Sequence, residues 1–155
     1  MGGCDGGTPA RCRYRMPVTE RPVIGKVVCY VVRGDELLVF RHRSHDAGLQ
    51  VPAGTIEPAE APAAAALREA EEETGLTGLR LVRKLGEYTH PLAGRPEDHR
   101  RHVFHLAAPS GAPERWEHFA EGAYWFVFSW VPLSAVPPLA GSQGDLLHLL
   151  APAAP

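Results

Sequence analysis

The chain has 155 residues, 45% of them hydrophobic, and a net charge of −2. That is enough apolar material for one globular core and too weak a charge of either sign to draw in a nucleic acid or an anionic membrane. No apolar run approaches the ~20 residues that a membrane-spanning helix needs, and Cys4, Cys12 and Cys29 lack the CxxC spacing of a zinc site or a disulfide framework.

Residues 1–18 are rich in Gly, Arg and Pro without apolar period and read as a flexible tail, leaving 19–152 as a single domain. The opening MGGCDG places Gly6 where an acylation signal wants Ser or Thr. There is no cationic-then-apolar leader either, so the cytoplasm is the expected location. Gly25 to Val32 is a β-branched run, and Arg33-Gly34-Asp35 turns it into Leu37–Phe40, a hairpin signal. Cys29 alternates within the first of these strands and is expected to be a buried small residue.

His42 to Leu49 reads as a polar loop leading to a short strand at Gln50-Val51. A helix should begin near Glu60 or Ala61, with Pro62 in its first turn and Gly75 just past its end. Ala64, Ala65, Leu67 and Ala70 would pack it on a sheet. Leu79–Tyr88, His99–Ala107, Trp116–Phe119 and Ala123–Val131 read as strands, the last being the richest in aromatics. After Pro137-Pro138, Ser142 is expected to cap a final helix from Gln143 to Leu150. Strands with two intervening helices argue for a mixed sheet packed between helices.

Within this frame the stretch Gly54–Leu76, GTIEPAEAPAAAALREAEEETGL, is the candidate site. Residues three and four apart share a helix face, so Glu69, Glu72 and Glu73 project carboxylates to one side. Like charges so placed destabilise a helix unless something positive sits among them. Hard divalent cations favour such oxygen ligands, and the cluster reads as a metal site.

Gly54, Glu60, Arg68, Glu69, Glu72, Glu73, Gly75 and Leu76 match without a gap the pattern Gly-x5-Glu-x7-Arg-Glu-U-x-Glu-Glu-x-Gly-U, where U is bulky and aliphatic. Ala70 is smaller than the usual residue at its position. The stretch resembles the Nudix box, and the Gln50-Val51-Pro52-Ala53 lead-in is similar to that of the same family. The resemblance implies the Nudix fold, an α/β/α sandwich, and Mg²⁺-dependent hydrolysis of a pyrophosphate linking a nucleoside diphosphate to another moiety, with Mn²⁺ as a substitute ion. It implies Glu69, Glu72 and Glu73 as metal ligands, with the Gly54 carbonyl beside them and Glu57 as a reserve for a second metal.

Arg68 is counted with the three glutamates in the catalytic set, as the counter-ion that orients them, and Glu60 is assigned either to capping or to support of the site. The general base is left open between Glu69 and the loop acids Glu114, Glu117 and Glu121. Arg41 and Arg43 stand where relatives contact phosphate and are the candidate substrate contacts. His99, His102 and His105 alternate with Arg100, Arg101 and Phe104 without metalloprotease spacing and are read as strand-face polar residues. Trp116, Trp125 and Trp130 are read mainly as core.

For the substrate, Pro52-Ala53-Gly54 and Pro91, 15 residues past Leu76, resemble ADP-ribose pyrophosphatases. Nucleotide sugars, nucleoside triphosphates and dinucleoside polyphosphates stay open, as does a homodimer. The competing class is a catalytically silent nucleotide sensor on the same fold. The intact set of box acids favours the enzyme.

Overall fold

A computed structural model describes residues 21–120 and 122–150. The described residues form seven strands and one α-helix in the order β1 Val23–Arg33, β2 Glu36–His42, β3 Ala53–Thr55, α1 Pro62–Thr74, β4 Arg80–Pro91, β5 Asp98–Ala107, β6 Trp116–Ala120 and β7 Tyr124–Pro132. The strands make one mixed sheet in the order β4-β5-β1-β2-β7-β6, with β3 paired to β1 off this path. Only β1 and β5 run parallel, over the register Val23↔Asp98 to Val32↔Ala107. None of the described helices is long and apolar enough to cross a membrane.

The β1–β2 hairpin pairs only near its tip, at Val32↔Leu37 and Arg33↔Glu36. Farther from the turn the two strands part, and residues 50–55 fill the gap. Gln50 bridges Phe40 on the β2 side, the Pro52 carbonyl accepts from the Cys29 N–H at 2.8 Å, and Ala53–Thr55 pair with Lys26–Val28 of β1. The short strand expected at Gln50-Val51 therefore lies three residues later, inside the motif itself. Pro52 cannot donate to a ladder, so the chain crosses from one neighbour to the other there. This insertion is what carries Gly54 to the sheet centre.

Both sheet faces are covered. On one, Ala65, Ala66 and Ala70 of α1 are fully buried against Val27, Cys29, Val31, Leu38, Phe104 and Phe128. Alanine there brings the helix close, as the Cys29 thiol donating to the Ala66 carbonyl at 3.3 Å records. Cys29 is buried, as its alternation predicts. On the other face Val28, Tyr30, Val39, Val51 and Val103 pack under Leu133, Val136, Leu139, Leu146 and Leu147.

This second cover is not the expected helix. Residues 140–150 form 3-10 turns at Ala140–Ser142 and Leu147–Leu150, with Gly141 and Ser142 at positive φ (58° and 60°). Ser142 is thus no N-cap. The cause is competition for carbonyls. The Gly141 carbonyl accepts from Arg101, that of Ser142 from the Tyr88 hydroxyl at 2.7 Å, and that of Gln143 from the Tyr30 hydroxyl at 2.5 Å. The Ser142 and Gln143 carbonyls, the first two acceptors of the expected helix, are thereby tied to the sheet, and Gly141 just before them is anchored there as well. The expected tail at 1–18, with Cys4 and Cys12, and the far end of the 19–152 domain at 151–152 lie outside the described residues.

Candidate functional site

Helix α1 starts where the sequence says it should, with Ala61 at the N-cap and Pro62 at its first position. It ends at Gly75, whose φ of 72° is left-handed and whose N–H reaches the Glu71 carbonyl. Ala61 has no side-chain cap. Glu60 does not cap the helix; its carboxylate accepts from the Glu57 N–H at 3.0 Å and turns to Arg68.

Arg68 organises the acidic face. Its Nε and Nη2 grip the two oxygens of Glu60 at 2.7 and 2.8 Å. Nη2 also donates to the Thr55 carbonyl at 3.0 Å. Nη1 reaches Glu69 at 2.9 Å and Glu72 at 3.3 Å. All five N–H groups of the guanidinium are thereby matched to acceptors. Glu57 sits at 3.9 Å, exposed, at the edge of the group. The Arg68 hydrogen bonds and the Glu57 N–H hold the Glu60 carboxyl down at about 2. Burial pushes the Glu69 carboxyl above its ordinary value, against the opposing pull of Arg68.

Glu69 is set against Gly54 so closely that a Cβ at position 54 would overlap its carboxylate. Glycine is required there by this contact. Glu73 is buried, at 4% exposure, and accepts from the Ala53 N–H at 3.2 Å, fixing the backbone just before Gly54. Glu69, Glu72 and Gly54 line a polar cleft of about 460 Å³; Glu73 stands behind it.

The opposite wall of that cleft comes from Lys26, His99, Arg101 and Gln143. Lys26 pairs with Arg101 across the parallel β1–β5 ladder and with Thr55 across β1–β3, which makes one transverse row over three strands. Lys26 Nζ donates to Thr55 Oγ1 at 2.5 Å. Arg101 Nη1 holds the Gly141 carbonyl and the Tyr88 hydroxyl. The Gln143 side-chain oxygen accepts from the Val51 N–H at 2.9 Å. Burial, then the Lys26 and Arg101 charges, hold His99 below the ordinary histidine value. Sequence reading did not find this wall as a group. The alternation of His99 and Arg101 was visible, but their meeting with Lys26 depends on a parallel register that no local pattern encodes.

The other candidates lie elsewhere. Arg41 and Arg43 line depressions shared with His42 and with Arg115 and Glu117, and not the cleft. Arg43 pairs with Glu117 at 3.2 Å and lies over the Trp125 ring at 4.8 Å. Of the loop acids, Glu114 binds Arg33 at 3.0 Å and Glu117 binds Arg43; Glu121 lies outside the described residues. His102 contacts Glu87 at 3.0 Å, and His105 shares the depression that also takes in Asp35 and His148. Trp116 and Trp130 donate to the carbonyls of Thr74 and Pro113, each at 2.8 Å, whereas Trp125 is 41% exposed.

A divalent cation fits this site by donor chemistry. Carboxylate oxygens of Glu69 and Glu72 and the backbone of Gly54 border one polar cleft, a hard, all-oxygen set. Among the described residues no three acidic, His or Cys side chains converge on one point. Arg68 Nη1 stands between Glu69 and Glu72, and Glu73 is turned to Ala53. The bidentate Glu60 contact fixes Arg68 independently of Glu69 and Glu72.

A family model described as the NUDIX domain matches residues 24–150. Among solved structures the chain is similar to a MutT NUDIX hydrolase from Burkholderia pseudomallei, at 23% identity over 83% of this chain and 98% of that one, with a TM-score of 0.65. It is similar to a MutT protein from Methanosarcina mazei Go1 at 22% identity over 83% and 93% of the two chains, TM-score 0.60. A UDP-X diphosphatase aligns at 20% identity and TM-score 0.63 over 83% of this chain, which spans only 61% of that longer one. At these identities the likenesses carry the fold. No curated protein sequence matches the chain.

Proposed function

Since the chain belongs to the Nudix family, and is by that family a pyrophosphohydrolase, we propose that it is a Mg²⁺-dependent enzyme splitting the pyrophosphate of a nucleoside diphosphate linked to another moiety. The observation that carries this reading is the Glu69 carboxylate seated on Gly54 and tied with Glu72 to Arg68, at the border of a polar cleft. Glu69, Glu72, Glu73 and the Gly54 carbonyl are the proposed ligand set, with Mn²⁺ able to replace Mg²⁺. Glu57, exposed beside them, is the reserve for a second ion. A bound divalent ion supplies charge neutralisation for the pyrophosphate and lowers the pKa of the attacking water.

The chain's own residues supply the rest. Arg68, anchored by Glu60, keeps the carboxylates in register, so little reorganisation is needed at the moment of reaction. Glu69 is the proposed general base. Its burial raises its proton affinity above the ordinary carboxylate value, against the pull of Arg68. Glu114 and Glu117 are engaged by Arg33 and Arg43 away from the cleft.

The test is a chromatographic screen for nucleotide products with Mg²⁺ over ADP-ribose, nucleotide sugars, nucleoside triphosphates and dinucleoside polyphosphates, each repeated with excess chelator. Turnover that is lost on chelation and restored by Mg²⁺ is the expected result. Tight nucleotide binding without turnover across the panel would instead make the chain a sensor.

A further inference from the structure

The wall facing the box acids has no part in the metal chemistry just described, yet it is built as deliberately. Lys26 and Arg101 are cross-strand neighbours on β1 and β5, both half-buried at the cleft. Among the described residues neither forms an ion pair: Lys26 donates to a hydroxyl, and Arg101 uses Nη1 alone, on a carbonyl and a phenol. Arg100 of β5 and Lys84 of β4 are instead paired with Glu87. Two half-buried cations left with neutral partners suit an anionic ligand, because charge-assisted hydrogen bonds are about twice as strong as neutral ones.

The rest of the lining says what kind of anion. Among the described residues lining the cleft, only His99 carries a ring, and Val27, Val28 and Ala53 are its apolar members. A nucleobase held there would lack the stacking surface that normally binds bases. A phosphate group there would meet the side chains of Lys26, Arg101 and Gln143, which line the cleft together.

We propose that Lys26 and Arg101 select substrates that carry a further phosphate beyond the pyrophosphate at the box, as a nucleoside triphosphate does and ADP-ribose does not. The inference rests on the hydrolase reading for its chemistry and runs against the ADP-ribose resemblance of the sequence around Pro52 and Pro91. The extra phosphate lies on the β1–β5 row, the scissile pyrophosphate on the Glu69–Glu72 side, and the base outside the cleft.

Two measurements test it. First, kcat/KM for a nucleoside triphosphate and for ADP-ribose is compared in the native protein, in Lys26→Gln and in Lys26→Arg. The native protein should prefer the triphosphate. Lys26→Gln should reduce that preference by about 10-fold, through KM more than kcat, the size of one lost charge-assisted bond, and Lys26→Arg should restore most of it. A preference for ADP-ribose in the native protein, or a preference unmoved by Lys26→Gln, overturns the proposal while leaving the hydrolase reading intact.

Second, inorganic tripolyphosphate is titrated calorimetrically, with Mg²⁺ present, into Glu69→Gln alone and into Glu69→Gln carrying Lys26→Gln. Weakening by about 10-fold in the double variant, with the difference shrinking at high salt, is expected. Equal affinity overturns the proposal even if no pyrophosphate is ever turned over, so failure of the function and failure of the charge selection are separate results. Lys26 is the variant of choice because Arg101 also holds the Gly141 turn, and thermal melts confirm that each variant folds.

Discussion

On the acidic wall of the cleft charge is settled internally. Arg68 uses every N–H on Glu60, Glu69, Glu72 and the Thr55 carbonyl, and Glu73 is tied to the Ala53 backbone. On the basic wall, among the described residues, Lys26 and Arg101 have only neutral partners, a hydroxyl for the first and a carbonyl and the Tyr88 phenol and ring for the second. The first wall is held in one geometry by Arg68, which occupies both Glu69 and Glu72 through Nη1. The second keeps its charge for whatever enters. A locked wall suits positioning and chemistry; an open one suits recognition. Mutations on the two sides should therefore fail differently, the acidic side in kcat and metal affinity, the basic side in KM and substrate preference.

The largest effect should come from Glu69→Gln or Glu72→Gln, which remove a carboxylate charge at nearly constant volume. Each is expected to lower kcat by about 10²–10³-fold with a melting temperature close to native, read by Mg²⁺-dependent hydrolysis and thermal melts. Glu73→Gln should lower kcat as well. It should also cost stability, because this carboxylate is buried on a backbone N–H. A basic-side phenotype, with KM raised and kcat intact, in any of the three would erase the contrast.

Next comes Gly54→Ala. The added methyl group overlaps the Glu69 carboxylate, so the side chain must leave its seat. The expected result is a loss of activity approaching that of Glu69→Gln, with about 1–3 kcal/mol of destabilisation from overpacking. Native activity in Gly54→Ala would mean that Glu69 does not work from this position.

Glu60→Gln sharpens the comparison further, because Glu60 reaches the box carboxylates through Arg68. Metal affinity should fall by about 10–100-fold, as for other residues that support a ligand. A pH effect accompanies it. The folded-state pKa of Glu60, about 2, is below its ordinary 4.5, so its contribution to stability is full above about 4.5 and fades as pH falls toward 2. Acid melts of the native protein should show that loss between these values, and Glu60→Gln should lack it.

The smallest expected effect is that of Gly75→Ala. It forces a left-handed φ on alanine and brings a Cβ to 2.6 Å from His118 Nδ1, costing about 1 kcal/mol or more. The melting temperature should drop by a few degrees while kcat stays near native, since the helix end lies away from the cleft lining.

The same contrast explains what could be read from the chain. The acidic wall lies within 23 consecutive residues at helical spacing, so Glu69, Glu72, Glu73, Arg68 and the ends at Pro62 and Gly75 follow from local rules. The basic wall draws Lys26 from β1, His99 and Arg101 from β5, and Gln143 from the C-terminal turns. Their meeting rests on the parallel β1–β5 register and on the splitting of β1 from β2, neither of which has a local signature. Arg41 and Arg43, the candidate substrate contacts, line a depression with Arg115 and Glu117 that is separate from the cleft, and Arg43 lies over Trp125. The expected helix at Gln143–Leu150 failed because Tyr88 and Tyr30 claim its first two carbonyls and Arg101 anchors the Gly141 turn just before it, and propensity cannot register such competition.

The most direct test of the account is Mn²⁺ binding followed by electron paramagnetic resonance, in the native protein and in Glu69→Gln/Glu72→Gln. The account predicts stoichiometric Mn²⁺ uptake that Mg²⁺ competes away and that the double variant loses. Equal Mn²⁺ binding by both proteins would contradict the assignment of the acidic wall as the metal site.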